Sequence, residues 1–270
     1  MSKNTGLLRM TGKIGEYVGY YRDGKQYFRT MPKHVRRSKA TQLSAIDFGT
    51  ASKAAKLIRQ GLRTELNIRH DNGMHNRLNT DMLRILYSGS QQRGSRSFQR
   101  NKLSMLTGMR FNGKTELSRL LPFTPKVVQD GNSLRIAIPA LGAGDIRHAR
   151  NTTHIEIKAI AVGVNFKEGA YQEAASDKAL IDFSKPAVAT ELILPFKAGE
   201  EETIVVLQVR AFDVMDGKMY VLGNRKYFAA DIIDIIPSLP TVSTGIAYHD
   251  QPEIKPSLQL QSDVYFIRKE

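Results

Sequence analysis

The sequence predicts an α+β protein, with an N-terminal β-hairpin plus helices followed by an antiparallel immunoglobulin-like β-sandwich. Three observations carry the prediction. Apolar residues recur at helical spacing between about residues 40 and 87, the period changes to two from about residue 117, and Asp-Gly pairs separate β-forming runs. The chain has 270 residues, 41% hydrophobic and 24% charged, which suffices for a core without cross-links. It has no Cys, and this excludes a disulfide framework, a thiolate metal cage and a cysteine nucleophile.

Residues 11–31 read as a hairpin. Tyr17, Gly19 and Tyr21 alternate with Val18 and Tyr20, and Tyr27 and Phe28 lie on the return strand. Asp23-Gly24 between them suits a type I′ turn, because Asp and Gly tolerate positive φ. Pro32 closes the second strand, having no amide hydrogen for a ladder. Lys33–Lys39 reads as an extended basic arm. A helix is expected from near Ala40, on Leu43, Ile46, Ala54, Leu57, Ile58 and Leu62, with Gly61 weakening its last turns. A second is expected from about Met74 to Tyr87, on Leu78, Met82, Ile85 and Leu86. Residues 88–101, polar and rich in Ser and Gly, read as a flexible connection.

Alternation then takes over. Leu134, Ile136 and Ile138 form one face of a strand, Ile155 to Ala161 a second, and Val205, Leu207, Val209 and Ala211 a long third. Ala179–Phe183, Thr190–Phe196, Met219–Leu222 and Tyr227–Ile236 complete a set of about seven strands, the number of an immunoglobulin-like sandwich. Asp216-Gly217 marks another hairpin turn. The expected organisation is a basic hairpin-and-helix module over residues 1–116, a β-sandwich over 117–236 and a Pro-rich extended tail over 237–270. Val264–Ile267 in that tail can dock as a strand.

Charge follows the same division. The formal net charge is +14, but residues 1–116 hold 23 Lys and Arg against 7 Asp and Glu, whereas residues 117–270 hold 17 against 19. A strongly basic module points to a polyanion. Its cations sit among the hairpin aromatics, a mixture that suits single-stranded nucleic acid, where bases stack on rings and cations follow the backbone. The same rings can instead pack the hairpin onto the helices. Lys25, Arg29, Lys33, Arg36, Arg37 and Lys39 are the candidate nucleic-acid-binding residues.

Other motifs are weaker. Gly108–Thr115 fits the phosphate-loop pattern, with Gly113, Lys114 and Thr115 as nucleotide-binding candidates. That loop needs a buried strand before it and a long helix after it, and Pro122 cuts any helix short. The competing reading makes Asn112-Gly113 a hairpin turn joining Met109–Phe111 to Lys114–Glu116. His70 and His75 do not share a helix face, and there is no HExxH or GxSxG. The sequence therefore offers no catalytic set, no metal site and no cofactor, and a non-enzyme is expected. No apolar run has the length of a signal peptide or membrane span, so the expected location is cytoplasmic or particle-associated, without membrane contact.

The run Gly12-Lys13-Ile14-Gly15, Val18-Gly19-Tyr20, Gly24-Lys25, Tyr27, Arg29, Pro32, Val35 and Thr41-Gln42 resembles an uncharacterised domain-of-unknown-function family of Bacteroidetes proteins. Ala175–Phe183 and Val221–Ala229 are similar to its later strands. The resemblance implies a glycine- and lysine-rich hairpin, a helix and a β-rich C-terminal part, and it implies no activity. Arg36-Arg37-Ser38-Lys39 departs from the family pattern.

Together these readings give a non-catalytic protein whose basic module contacts a polyanion, DNA or RNA, through backbone charge, and whose sandwich mediates protein contacts. The alternative is a structural subunit of a larger particle, a phage virion or secretion apparatus, self-associating through the sandwich and terminal arms. A nucleotide hydrolase using Lys114 and Thr115 is the third.

Overall fold

A computed structural model describes residues 2–3, 10–33, 36–66, 71, 73–196 and 201–238. The chain opens with β1 (Ser2–Lys3), β2 (Gly12–Ile14), β3 (Tyr17–Arg22) and β4 (Lys25–Thr30). Two helices follow, α1 (Lys39–Leu62) and α2 (Met74–Tyr87), then a 3-10 segment at Arg100–Leu106 and the short α3 (Leu117–Leu120). The remaining strands are β5 (Val127–Asp130), β6 (Ser133–Ile138), β7 (His154–Asn165), β8 (Ala170–Tyr171), β9 (Ala175–Asp182), β10 (Thr190–Leu194), β11 (Glu202–Met215), β12 (Lys218–Val221) and β13 (Ala229–Ile236). The helices and antiparallel sheets make this an α+β protein.

Strands β7 and β11 pair along most of their length, from Glu202 opposite Val164 to Phe212 opposite His154. Both are apolar on two faces, so each face needs a cover. On one side Ile155, Ile157, Ala159 and Ala161 join Val205, Leu207, Val209 and Ala211. A three-stranded sheet, ordered β10-β6-β5, supplies Leu134, Ile136, Ile138, Leu192 and Leu194 to that core. On the other side Ile160, Val162, Val164, Ile204 and Val206 meet α1, α2 and the 3-10 segment. This second core draws residues from both sides of position 116.

The outer ranks are divided strands. β13 pairs with the first part of β11 and β12 with its last part, while β9 and β8 share the far edge of β7 in the same way. A bulge between Val205 and Val206 shifts the β11–β13 register.

Helix α1 begins where Ser38 caps it, its hydroxyl accepting from the Thr41 amide at 3.2 Å. Its buried stripe is Asp47, Ala51, Ala54, Ala55, Ile58, Gly61 and Leu62. Ile46, expected on that stripe, is instead exposed, as is Phe48. The small residues let the helix approach the sheet. A Cβ on Gly61 would stand 2.6 Å from Cγ2 of Val162, so Gly61 serves packing and its helix-weakening cost is the lesser effect.

The buried position of Asp47 also changes the reading of residues 88–101. Its carboxylate accepts from the Gly94 amide at 2.9 Å and from Arg96 Nη1 at 2.8 Å, and Arg96 lies 4.6 Å over the Tyr87 ring. The connection is pinned to α1 by charge-assisted hydrogen bonds and to α2 by a cation–π contact. Its serines and glycines had suggested otherwise.

Below the apolar part of its helix-facing side, the sheet becomes polar. Buried Glu156 takes two hydrogen bonds from Arg210, at 2.9 and 2.6 Å. Glu65, just beyond α1, accepts from Lys158 Nζ and from Ser176 Oγ, each at 2.6 Å, and these partners hold its carboxyl below the ordinary range. The helix end is thereby tied to β7 and β9.

Gly61→Val tests the close approach of α1 to β7. The extra methyl groups force a shift of Val162, and urea unfolding should show a loss of about 1–3 kcal/mol relative to the parent chain.

Candidate functional site

The four-stranded N-terminal sheet has the order β1-β4-β3-β2. None of its described residues belongs to either hydrophobic core. Asp23 and Gly24 have φ of 52° and 73°, so the expected type I′ turn forms and Arg22 pairs with Lys25. The expected hairpin is larger than its two predicted strands, because Gly15, with φ 57°, turns β2 back onto β3.

Register then decides which side chains share a face, since directly opposed residues of antiparallel strands point the same way. Arg22 opposes Lys25, Tyr20 opposes Tyr27, and Val18 lies between Arg29 and Lys13. One face therefore carries Lys13, Arg22, Lys25 and Arg29 around two tyrosines. The rings of Tyr20 and Tyr27 stack with centroids 5.9 Å apart and an interplanar angle of 24°. All four cations are exposed. Arg22 lies 3.8 Å from the highly exposed Asp23, and among the described residues no carboxylate pairs with the other three.

The opposite face is built differently. Gly19 and Gln26 are its buried residues, and Gln26 donates to the Met10 carbonyl. A Cβ at Gly19 would meet that carbonyl oxygen at 2.7 Å, so the approach of the chain at Met10 requires glycine there. Tyr20 stacks on Tyr27 and Phe28 lies beside Gly19, Tyr17 and Tyr21 are exposed, and none of these aromatics belongs to the core that α1 and α2 share.

Of the six residues predicted to bind nucleic acid, Lys25 and Arg29 fall on the cationic face. Lys33, Arg36 and Arg37 follow β4 in the connection to α1, and Lys39 is the first residue of that helix. All six are exposed. His34 and Val35 of the arm lie outside the described residues, as does the tail from 239. Lys13 and Arg22 were missed, although the Asp-Gly turn and the Gly15 turn fix their register once both are recognised.

Gly113, Lys114 and Thr115 occupy a different setting. The segment before them pairs with β13, Gly108 and Phe111 donating their amides to Ile232 and Ala230 at 2.8 Å. It does not pair with Lys114–Glu116, so the expected hairpin is absent. The Gly113 amide donates to Asp71 at 2.6 Å, and the buried Thr115 hydroxyl donates to the Lys226 carbonyl at 3.0 Å. Lys114 is exposed, and α3 after it has four residues. A phosphate loop needs free amides, a free hydroxyl and a long following helix. Here an acid already holds the amide.

Two acids around this segment titrate in opposite senses. Asp71, hydrogen-bonded by Arg77 and by the amides of Gly113 and Gly73, has its pKa lowered to about 2 from an ordinary 3.8. Asp231 is raised to about 6, chiefly by burial, although the Leu117 amide donates to it at 2.8 Å. Among the described residues there is no cluster of three metal-ligating side chains, and no helix is long and apolar enough to cross a membrane.

No family model matches the chain, and no curated protein or solved structure matches it.

Stability should follow these acids. The contribution of Asp71 is complete above its ordinary pKa of 3.8 and is lost as pH falls through about 2. Asp231 contributes most while protonated, and that contribution disappears as pH rises from 3.8 through about 6. In urea titrations between pH 4.5 and 7, Asp231→Asn should remove a decline of up to about 1.4 kcal/mol per pH unit seen in the parent chain.

Proposed function

We propose that the protein is a non-catalytic binding protein whose N-terminal module holds a polyanion, most simply the backbone of single-stranded DNA or RNA. The observation that carries this reading is the cationic sheet face: Lys13, Arg22, Lys25 and Arg29 surround the stacked Tyr20 and Tyr27, and among the described residues no acid pairs with three of them. Exposed cations spaced along strands suit successive phosphates, and aromatic rings among them suit bases. Lys33, Arg36, Arg37 and Lys39 extend the positive charge along the chain beyond the sheet. The same proposal covers kinship with the Bacteroidetes family, since most residues of that resemblance fall on this sheet and the arm after it. It also covers a cytoplasmic or particle-associated location.

The β-body supports the second half of the proposal, protein contact through an immunoglobulin-like sandwich. Its two sheets share one core. The edge strand β12 exposes Met219 and Val221 on one face and Tyr220 on the other, with Met215 exposed at the end of β11 beside it, apolar groups next to unpaired backbone. That edge also favours the alternative of a structural subunit assembling through its β-body.

Binding to a labelled oligothymidine should weaken with salt, with a log–log slope of about −3 if the four sheet cations neutralise phosphates on a single strand. If all six residues singled out from the sequence contact duplex DNA, the slope is about −5. Lys25→Ala or Arg29→Ala should weaken binding for every sequence and reduce the slope by about 1. Salt-independent binding contradicts the proposal.

Light scattering before and after nuclease treatment separates the two readings. A mass that falls on digestion indicates bound nucleic acid, and nuclease-resistant oligomers that dissociate in Tyr220→Lys indicate assembly through β12.

A further inference from the structure

A cavity of about 340 Å³ opens beside the C-terminal half of α1. Its volume falls within the range of roughly 300–1,000 Å³ typical of small-molecule sites. Its floor is apolar, formed by Leu62, Leu66, Met74 and Phe111. Its polar lining is Lys56, Arg59, Gln60, Arg63 and His75; the cations Lys56 and Arg59 lie one turn apart on α1, and Arg63 is the residue after its end. There is no carboxylate among the described lining residues, and none of the three cations forms an ion pair among the described residues.

Arg59 is the unusual member. Its Nη1 is buried and has no hydrogen-bond partner, and burial lowers the pKa of the side chain. A guanidinium nitrogen taken out of water without an acceptor is costly. Lys56 and Arg63, by contrast, are exposed. The cavity thus joins an apolar floor to a cationic margin with no carboxylate among its described lining residues, and it shares no lining residue with the sheet face assigned above.

We infer that this cavity binds a small amphipathic anion, an aliphatic body carrying one carboxylate or phosphate, with the body on the Leu62–Phe111 floor and the head on Arg59. Such a ligand sets its anionic head against the cationic margin and removes apolar surface from water. Lys56 and Arg63 add attraction at the mouth without closing the cavity. A ligand with the opposite charge gains the apolar contact but faces three cations.

The test uses the full chain with decanoate and decyl phosphate as probes and decyltrimethylammonium as the cation of equal tail. Calorimetry should show one decanoate or decyl phosphate per chain, and the tighter of the two identifies the preferred head. The Met74 ε-methyl resonance, assigned through Met74→Leu, should shift on binding. Arg59→Met keeps an unbranched apolar stem and should weaken binding about tenfold or more, as expected for one charge-assisted hydrogen bond. Lys56→Gln, at an exposed position, should weaken it by a smaller factor and leaves the fold intact if Arg59→Met does not. The inference is overturned if the decyl cation binds as tightly as the anions, if Arg59→Met and Lys56→Gln both leave the affinity unchanged, or if neither anion saturates below its micellar concentration.

Discussion

Burial on both faces of β7 and β11 is the constraint on which the rest of the structure depends. Two long strands with apolar side chains on alternate sides cannot leave either side in water. The β10-β6-β5 sheet covers one and the helices cover the other. The small residues of α1 follow from this, because a helix must come close to cover Val162. So does the place of charge on the helix-facing side, where Glu156 meets Arg210 and Lys158 meets Glu65 beyond the reach of the helical cover. Glu156 is buried and the other three are partly buried, and each is paired, as ions drawn out of water need to be.

The N-terminal sheet lies outside that constraint. It contributes to neither core, and backbone ladders, tight turns and a stacked tyrosine pair hold it together. A sheet of this kind spends few side chains on packing, which leaves cations free on its face. This is the physical basis of the proposal that it contacts a polyanion. The two-sided body commits the inner faces of β7 and β11 to its own stability.

Legibility in the sequence followed the locality of each signal. The α2 boundaries, Met74 to Tyr87, were readable because a clear apolar stripe lies within one uninterrupted segment. The turns at Asp23-Gly24 and Asp216-Gly217 were readable because both residues take the positive φ their types allow. What escaped depends on distant partners. Asp47 is buried because Gly94 and Arg96 reach back to it, and no periodicity within α1 announces that. β5 was missed although Asp130 and Gly131 precede β6, since four residues give too short an alternation to stand out. Gly113 and Thr115 matched a motif whose meaning lies in the elements around it, and here those elements differ. For the candidate interface, residue types were readable and their shared face was not, because Lys13 enters only through the extra strand β2.

The central claim is that the Lys13–Arg22–Lys25–Arg29 face meets a polyanion. Lysine footprinting tests it most directly, by acetylating the full chain with and without oligothymidine and reading each lysine by mass spectrometry. The account predicts that Lys13 and Lys25 are protected together, while Lys167 and Lys218 of the β-body react as in the free chain. Unchanged reactivity of Lys13 and Lys25 under conditions where the oligonucleotide is bound would contradict it.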